Sequence, residues 1–294
     1  MPFLRRRRPD SIERMGDVDL HATLGVAPVE RDVIRVHGPE AIGFLQGQLS
    51  QEIDGLPVGV SVPTLLLQPT GKVEAWLRAT RIDDDVVLLD VEAGFGAAVL
   101  ARLRRFKLRT KADLDLETWT GWAVRGPGAS GAGWAAAWPG VEGYDLLTAG
   151  GASPPSGPVV TTGVLEALRI ECGVPAMGAE LTSDTIPAEA GQWLIDASVS
   201  FTKGCYTGQE LVARIDSRGG NVPRPLRGLR IDALEASIGA PVRAGDAVVG
   251  ALTSVAHSAA LGTIALAPLP RAVEVGAVVA VGDASATVTL LPMR

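Results

Sequence analysis

Strand-length apolar runs joined by short polar turns constrain the fold of this 294-residue chain more than any other feature. Val29 to Val36, Ser61 to Gln68, Val73 to Ile82 and Val86 to Val91 have the composition of strands. Pro69-Thr70-Gly71-Lys72 and Asp83-Asp84-Asp85 are the turns between the last three. Such spacing predicts an antiparallel meander. Two helices interrupt it. Gly38-Pro39 opens one that runs to about Leu49, with Pro39 in the first turn. On it Gly43 and Gly47 mark a face that packs tightly or borders a ligand. Phe95 to Phe106 is amphipathic, with Val99, Leu103 and Phe106 expected inward and Arg102, Arg104 and Arg105 outward. Ala112 to Val124 reads as two further strand runs. Gly126 to Gly143 is rich in small residues, with Trp134 and Trp138 expected in the core, and Gly150 to Pro158 is an exposed loop.

The rhythm changes at Pro223-Arg224-Pro225. Beyond it, short strand-like runs at Leu226–Ile231, Ala247–Val255, Gly262–Leu266, Val278–Val281 and Ala286–Leu290 are separated by Gly, Pro and Asp. They predict a small closed β-barrel. The fold class expected is therefore α+β. Residues 1–222 form two α+β subdomains, 1–150 and 151–222, and 223–294 form the C-terminal barrel. Hydrophobic residues at 47% and charged residues at 20% fit a globular protein. A net charge of −6 disfavours a general nucleic-acid surface. The one basic run, Arg5 to Arg8, reads as a solvated terminus, and no apolar segment follows it to make a secretory signal. The longest uncharged stretch, Ala247 to Pro270, reads as strands and turns rather than a membrane helix. Cys172 and Cys205 make neither a disulfide framework nor a four-ligand zinc site, so a reducing cytoplasm is the expected compartment.

Two stretches carry candidate chemistry. In Lys203-Gly204-Cys205-Tyr206-Thr207-Gly208-Gln209-Glu210, Thr207 and Glu210 have capping-box spacing, and Leu211, Val212 and Ile215 then continue at helical spacing. Cys205 would lie just outside a helix N-terminus, where the dipole and Lys203 favour a thiolate. Gly204 and Gly208 would admit a ligand close to the backbone. The competing reading is a small buried cysteine in a tight turn. In the helix Val164 to Cys172, stopped by Gly173 and Pro175, Glu171 falls on an apolar stripe with Val164 and Leu168. A buried acid must be paired or protonated. Either Arg169 pairs with it, or it grips an amidine-like ring edge with two parallel hydrogen bonds.

The octet resembles the K-G-C-[FY]-x-G-Q-E signature of the YgfZ folate-binding proteins, relatives of the glycine-cleavage T-protein (aminomethyltransferase). Arg169-Ile170-Glu171-Cys172-Gly173, Pro187-Ala188-Glu189-Ala190-Gly191 and Phe44-Leu45-Gln46-Gly47-Gln48 are similar to further family segments, in the family's order. The resemblance implies a tetrahydrofolate-binding protein that supports iron–sulfur cluster assembly or repair in client enzymes such as tRNA methylthiolases. It carries over Glu171 as the pterin contact and Cys205 as the functional thiol, with Lys203 beside it. Gln209 and Arg224 are added as folate contacts, the latter on a loose alignment. T-proteins place an essential aspartate in the strand after a Gly-Gly turn, whereas here Ala75 and Trp76 occupy that stretch. A missing carboxylate argues against standard aminomethyl transfer. The alternative is a folate-dependent one-carbon transferase on an unknown amine. A cysteine hydrolase ranks last, because His21, His37 and His257 sit in no catalytic motif.

Overall fold

The computed structural model describes residues 18–293. The basic run Arg5 to Arg8 lies outside them. The first sheet is built from β1 (Gly25–His37), β2 (Ser61–Leu67), β3 (Val73–Asp83), β4 (Val86–Glu92), β5 (Asp113–Arg125), β6 (Trp134–Ala135) and β7 (Gly143–Thr148). Its order is β2-β3-β4-β1-β5-β7-β6 and all its ladders are antiparallel. Ala112 to Val124 thus contributes one long strand rather than two, because β5 pairs along its whole length with β1.

One face of this sheet is apolar. Val73, Ala75, Leu77 and Ala79 alternate inward along β3 and pack on Leu45 of α1 (Ala41–Gln48) and on Val99 and Leu103 of α2 (Gly96–Lys107). Arg102 departs from the amphipathic reading. It is buried, bonds the Leu67 carbonyl and Gln48, and lays its guanidinium 3.6 Å from the Phe106 ring centroid.

The other face is charged and concave. Arg78 on β3 faces Asp90 on β4 in register. Its Nε and Nη2 donate to Asp90 at 2.8 and 3.1 Å. Its Nη1 reaches Asp145 on β7 at 2.9 Å and the carbonyls of Trp134 and Ala135 on β6 at 3.2 Å. Strands at opposite ends of the sheet order are thereby drawn together, and the sheet curls. Trp134 and Trp138 are half-buried beside these charges, and Trp138 also packs against the apolar cluster that contains Val164 and Leu168. Their rings lie 5.2 Å from the Arg78 guanidinium and 4.5 Å from that of Arg125.

Helix α3 (Thr162–Cys172) covers the concave face. Thr161 caps it by accepting from the Val164 amide, and Gly173 ends it with φ of 70°. Leu168 and Val164 pack toward the first sheet, while Ile170 packs on Leu226, Ile264 and Leu266 of the second. That second sheet holds β8 (Leu226–Ile231), β9 (Pro241–Ala244), β10 (Ala247–Ala251), β11 (Ser254–Ser258), β12 (Gly262–Pro268), β13 (Val278–Val281) and β14 (Ala284–Thr289), in the order β10-β9-β13-β14-β8-β12-β11. It curls around its own core, and β10 approaches β12 without a ladder between them. The expected C-terminal barrel is thus present as a small β domain made of one curled antiparallel sheet. The stretch from Pro187 onward is helical. It forms a 3₁₀ turn at Pro187–Ala190 and then α4 (Gln192–Ser198), which buries Leu194, Ile195 and Ser198 at helical spacing. No helix among the described residues is long and apolar enough to cross a membrane.

Asp145 carries a testable consequence. Burial alone would raise its pKa, but Arg125 and Arg78 beside it hold the carboxyl down at about 2. A depressed native pKa means its contribution is complete above the unfolded value near 4 and is lost as pH falls through about 2. Asp145→Asn is expected to cost about 3–5 kcal/mol at neutral pH, because two buried guanidiniums lose their counter-charge. In urea titrations the gap to wild type should close below about pH 4; a gap constant down to pH 2 would contradict the assignment.

Candidate functional site

A cavity of about 490 Å³ lies between the concave face of the first sheet and α3. Apolar surface comes from Val29, Pro63 and Leu165, and broad aromatic surface from Trp76 and Trp138. Trp76 is held by its Nε1 donating to Ser198 Oγ at 3.0 Å and by an edge-on contact with Trp193. The charged wall comprises Arg31, Arg78, Glu92, Arg125, Asp145, Glu166 and Arg169. Burial raises the Glu92 pKa, opposed by a hydrogen bond from the Met177 amide and by Arg31 and Arg169. Arg169 ties this wall to the second sheet. It bonds Glu166 at 2.6 Å, Glu180 at 3.2 Å and Ser254 Oγ at 2.6 Å, and Ser254 donates on to Glu180 at 2.7 Å.

None of the five residues expected at the site lines this cavity. Glu171 is buried on α3, and Arg169 does not pair with it. His21 Nε2 stands 3.0 Å from Glu171 Oε2, within ion-pair reach but without hydrogen-bond geometry. Arg224 is exposed and donates to the Pro268 carbonyl at 3.4 Å. The other three share one loop. Cys205 is exposed and outside any disulfide, so the reading of a buried core cysteine is excluded.

Lys203 is occupied elsewhere. Its ammonium donates to the carbonyls of Gln46, Leu49 and Gln51 at 2.8, 2.7 and 2.8 Å, closing the C-terminal end of α1 where a cation is favoured. Burial lowers its pKa to about 8, against the pull of Glu52, so it stays charged at neutral pH and all three N–H groups are used. The capping-box expectation also fails. Gly208, not Thr207, is the N-cap of α5 (Gln209–Asp216), and Gln209 Oε1 accepts from the Tyr206 amide at 3.1 Å. The reason is a close approach of two turns. Gly208 has φ of 83°, and a side chain there would meet the Gln68 carbonyl and the Gly71 backbone. Gly204, Gly43 and Gly47 have open space where a side chain would be, so their lack of one leaves room around the loop.

The cavity residues that sequence reading missed do carry a local signal. Arg78, which lines the cavity, and Asp90, which holds it, interrupt otherwise apolar strands and share one face. Buried charges on such strands need partners, as the helix acid Glu171 does.

Set beside known proteins, the two curled antiparallel sheets and their helices are a GcvT-like fold. The chain superposes on the glycine cleavage system aminomethyltransferase T from Bartonella henselae with a TM-score of 0.73. The match covers 94% of this chain and 87% of that one at 19% identity. No protein-family model matches the chain. In sequence it is 28% identical over 199 residues to an uncharacterised protein of Haemophilus influenzae, spanning 67% of this chain and 70% of that one. Over 55 residues it is 49% identical to the tRNA-modifying protein YgfZ of Hamiltonella defensa, covering 19% of this chain and 16% of that one. The corresponding protein of Photorhabdus laumondii matches over 55 residues at 46%, covering 17% of its length. The chain is thus similar in fold to the aminomethyltransferase and, over a short segment, in sequence to the YgfZ proteins.

Replacing Lys203 tests its place in the loop. Lys203→Met leaves three carbonyls without their charged donor and is expected to lower stability by about 1–3 kcal/mol in denaturant titration. Unchanged stability with slowed alkylation of Cys205 would instead make Lys203 the partner of the thiol.

Proposed function

We propose that this chain binds tetrahydrofolate in the cavity beneath α3. There it acts as a cytoplasmic accessory protein for assembly or repair of iron–sulfur clusters in transiently bound client enzymes. The observation that carries the folate reading is the cavity itself. It offers two tryptophan faces for a flat heterocycle and ionic groups for its polar edge and acidic tail, within a GcvT-like fold. The name of the YgfZ relatives points to clients that modify tRNA.

Aminomethyl transfer is disfavoured by the strand that would supply its acid. Ala75 is fully buried in the core on the far face of β3, and Trp76 presents an indole to the cavity. Glu74 sits where its charge acts on Arg102. One observation favours the alternative, a folate-dependent one-carbon transferase: Glu92 puts a carboxyl into the cavity from a different strand. Cys205 is the thiol assigned to client chemistry because it is exposed and stands outside the cavity lining.

Calorimetric titration of tetrahydrofolate is expected to give saturable one-to-one binding, and absence of heat would remove the folate reading. Separately, Cys205→Ala is expected to keep fold and folate affinity but fail to restore cluster-enzyme activity in a deletion strain. Full restoration would end the thiol role.

A further inference from the structure

Buried hydroxyls join the wall of the cavity to the loop that carries Cys205. Ser50, Thr64 and Ser198 are all fully buried. A buried hydroxyl is costly unless its bonds are made, so its partners fix where it stands. Ser198 Oγ accepts from the Trp76 indole N–H at 3.0 Å, and the Ser198 carbonyl accepts from Ser50 Oγ at 2.6 Å. Ser50 Oγ also accepts from the Leu65 amide at 2.8 Å, and Leu65 is the partner of Trp76 across the β2–β3 ladder. Ser50 is thereby tied to Trp76 twice, to its indole by way of Ser198 and to its backbone by way of Leu65.

The short segment around Ser50 also receives the thiol loop. Gln51 Nε2 donates to the Ala197 carbonyl at 3.0 Å, and its amide donates to Thr64 Oγ1 at 3.1 Å. The Ser200 amide donates to the Ser50 carbonyl at 3.0 Å, and the Thr207 amide to the Gly47 carbonyl at 3.2 Å. Of the three carbonyls that hold the Lys203 ammonium, those of Leu49 and Gln51 flank Ser50 directly. Residues 197–207 thus hang on residues 46–51, with Ser50 near the centre of the contact. We propose that Ser198 and Ser50 are positioning residues for Cys205, and that through them the state of Trp76 in the cavity sets the order of the thiol loop.

The element with two arrangements is the bond from Trp76 to Ser198, which is either made or broken. Made, it holds Ser198 against Ser50 and keeps the carbonyls around Lys203 in place. A flat ring pressed against the indole from the cavity loads that bond. Once it is broken, Ser198 loses its side-chain anchor, and the strain passes to Ser50 and to the segment that enters the loop. The relay goes beyond the folate reading, because it concerns what the cavity does to the thiol. One arm of its test uses tetrahydrofolate; the others need no ligand.

Hydrogen–deuterium exchange of the peptide spanning residues 199–207 reads the order of the loop. Iodoacetamide labelling of Cys172, which is fully buried, reports general opening and serves as the internal control. Trp76→Phe keeps an aromatic face but removes the indole N–H, and Ser198→Ala removes its acceptor. Each is expected to speed loop exchange about 3- to 10-fold, the range that one lost hydrogen bond supplies. Cys172 labelling and exchange in β8 and β12 should stay near wild type. The double variant should exchange no faster than either single one, because all three lack the same bond. Unchanged loop exchange in both single variants overturns the relay. So do additive effects, or Cys172 labelling that rises in step with the loop, since either reduces the two residues to packing. In the ligand arm, tetrahydrofolate is expected to speed loop exchange in wild type about 3-fold or more and to leave Ser198→Ala unchanged. Tetrahydrofolate that binds but slows the loop, changes neither protein or changes both alike also overturns the relay, while the folate reading stands. If wild type gives no binding heat, the folate reading falls, and the variants alone decide the relay.

Discussion

The cavity exists because Arg78 cannot be satisfied by its own neighbourhood. A guanidinium on a strand needs five acceptors' worth of geometry in a fixed plane. Asp90 on the adjacent strand takes two of its N–H groups, and the rest go to Asp145 and to carbonyls of β6. Those acceptors belong to strands far along the sheet order. The sheet must curl to bring them in, and the curl is the hollow. Arg125 repeats the logic at the other side of Asp145, donating to it at 2.8 Å. The arginines outnumber the aspartates in this chain of charges, since Arg31, Arg78 and Arg125 face Asp90 and Asp145. Glu92 and Glu166 stand in the same wall.

Buried ion pairs are a poor source of net stability, because desolvation offsets most of the attraction. An apolar set of residues of similar volume would hold two strands together as well. What an apolar set would not do is leave polar groups pointing into a hollow at fixed positions. Asp90 orients Arg31 while it binds Arg78, so one fully buried carboxylate serves both the seam and the candidate site. The Arg169 cluster does the same at the opposite wall, since Glu180 and Ser254 anchor α3 to the second sheet while Glu166 lines the cavity.

Much of the fold was legible from local pattern. The strand-like runs that became β1 to β4, the helix that follows Pro39 (it starts at Ala41, after Glu40), the Gly173 stop and the strand-rich tail all follow from interactions within a few residues. The errors fall where a distant partner decides. Arg102 has the position of a solvent-facing residue on α2, yet the carbonyl of Leu67 recruits it inward. Thr207 and Glu210 satisfy the capping spacing, but the helix begins one residue later because Gly208 must press against the Gly71 turn. The site was legible only in its loop. Cys205 stands out by its neighbours in sequence, whereas the cavity wall is assembled from residues scattered over β1, β3, β4, β5, β7 and α3. No local window contains that set.

The signature octet then takes a different meaning from the one its residue types invite. Lysine, glycine and cysteine in a row look like a single reactive unit, but three carbonyls hold the lysine on the end of α1 and leave the thiol facing solvent. The loop is nonetheless attached to the cavity through β3. Before the octet, Ser198 at the end of α4 accepts from the Trp76 indole, whose ring lines the cavity. After Cys205, Gly208 packs on Gly71 in the turn that leads into β3. Both flanks of the thiol loop therefore rest on the strand that carries Trp76 and Arg78. A ligand that displaces Trp76 must strain or break its bond to Ser198, and that load falls on the segment entering the loop. The shared element between cavity and thiol is a strand with two fixed contacts, and it joins them without any direct contact between ligand and Cys205.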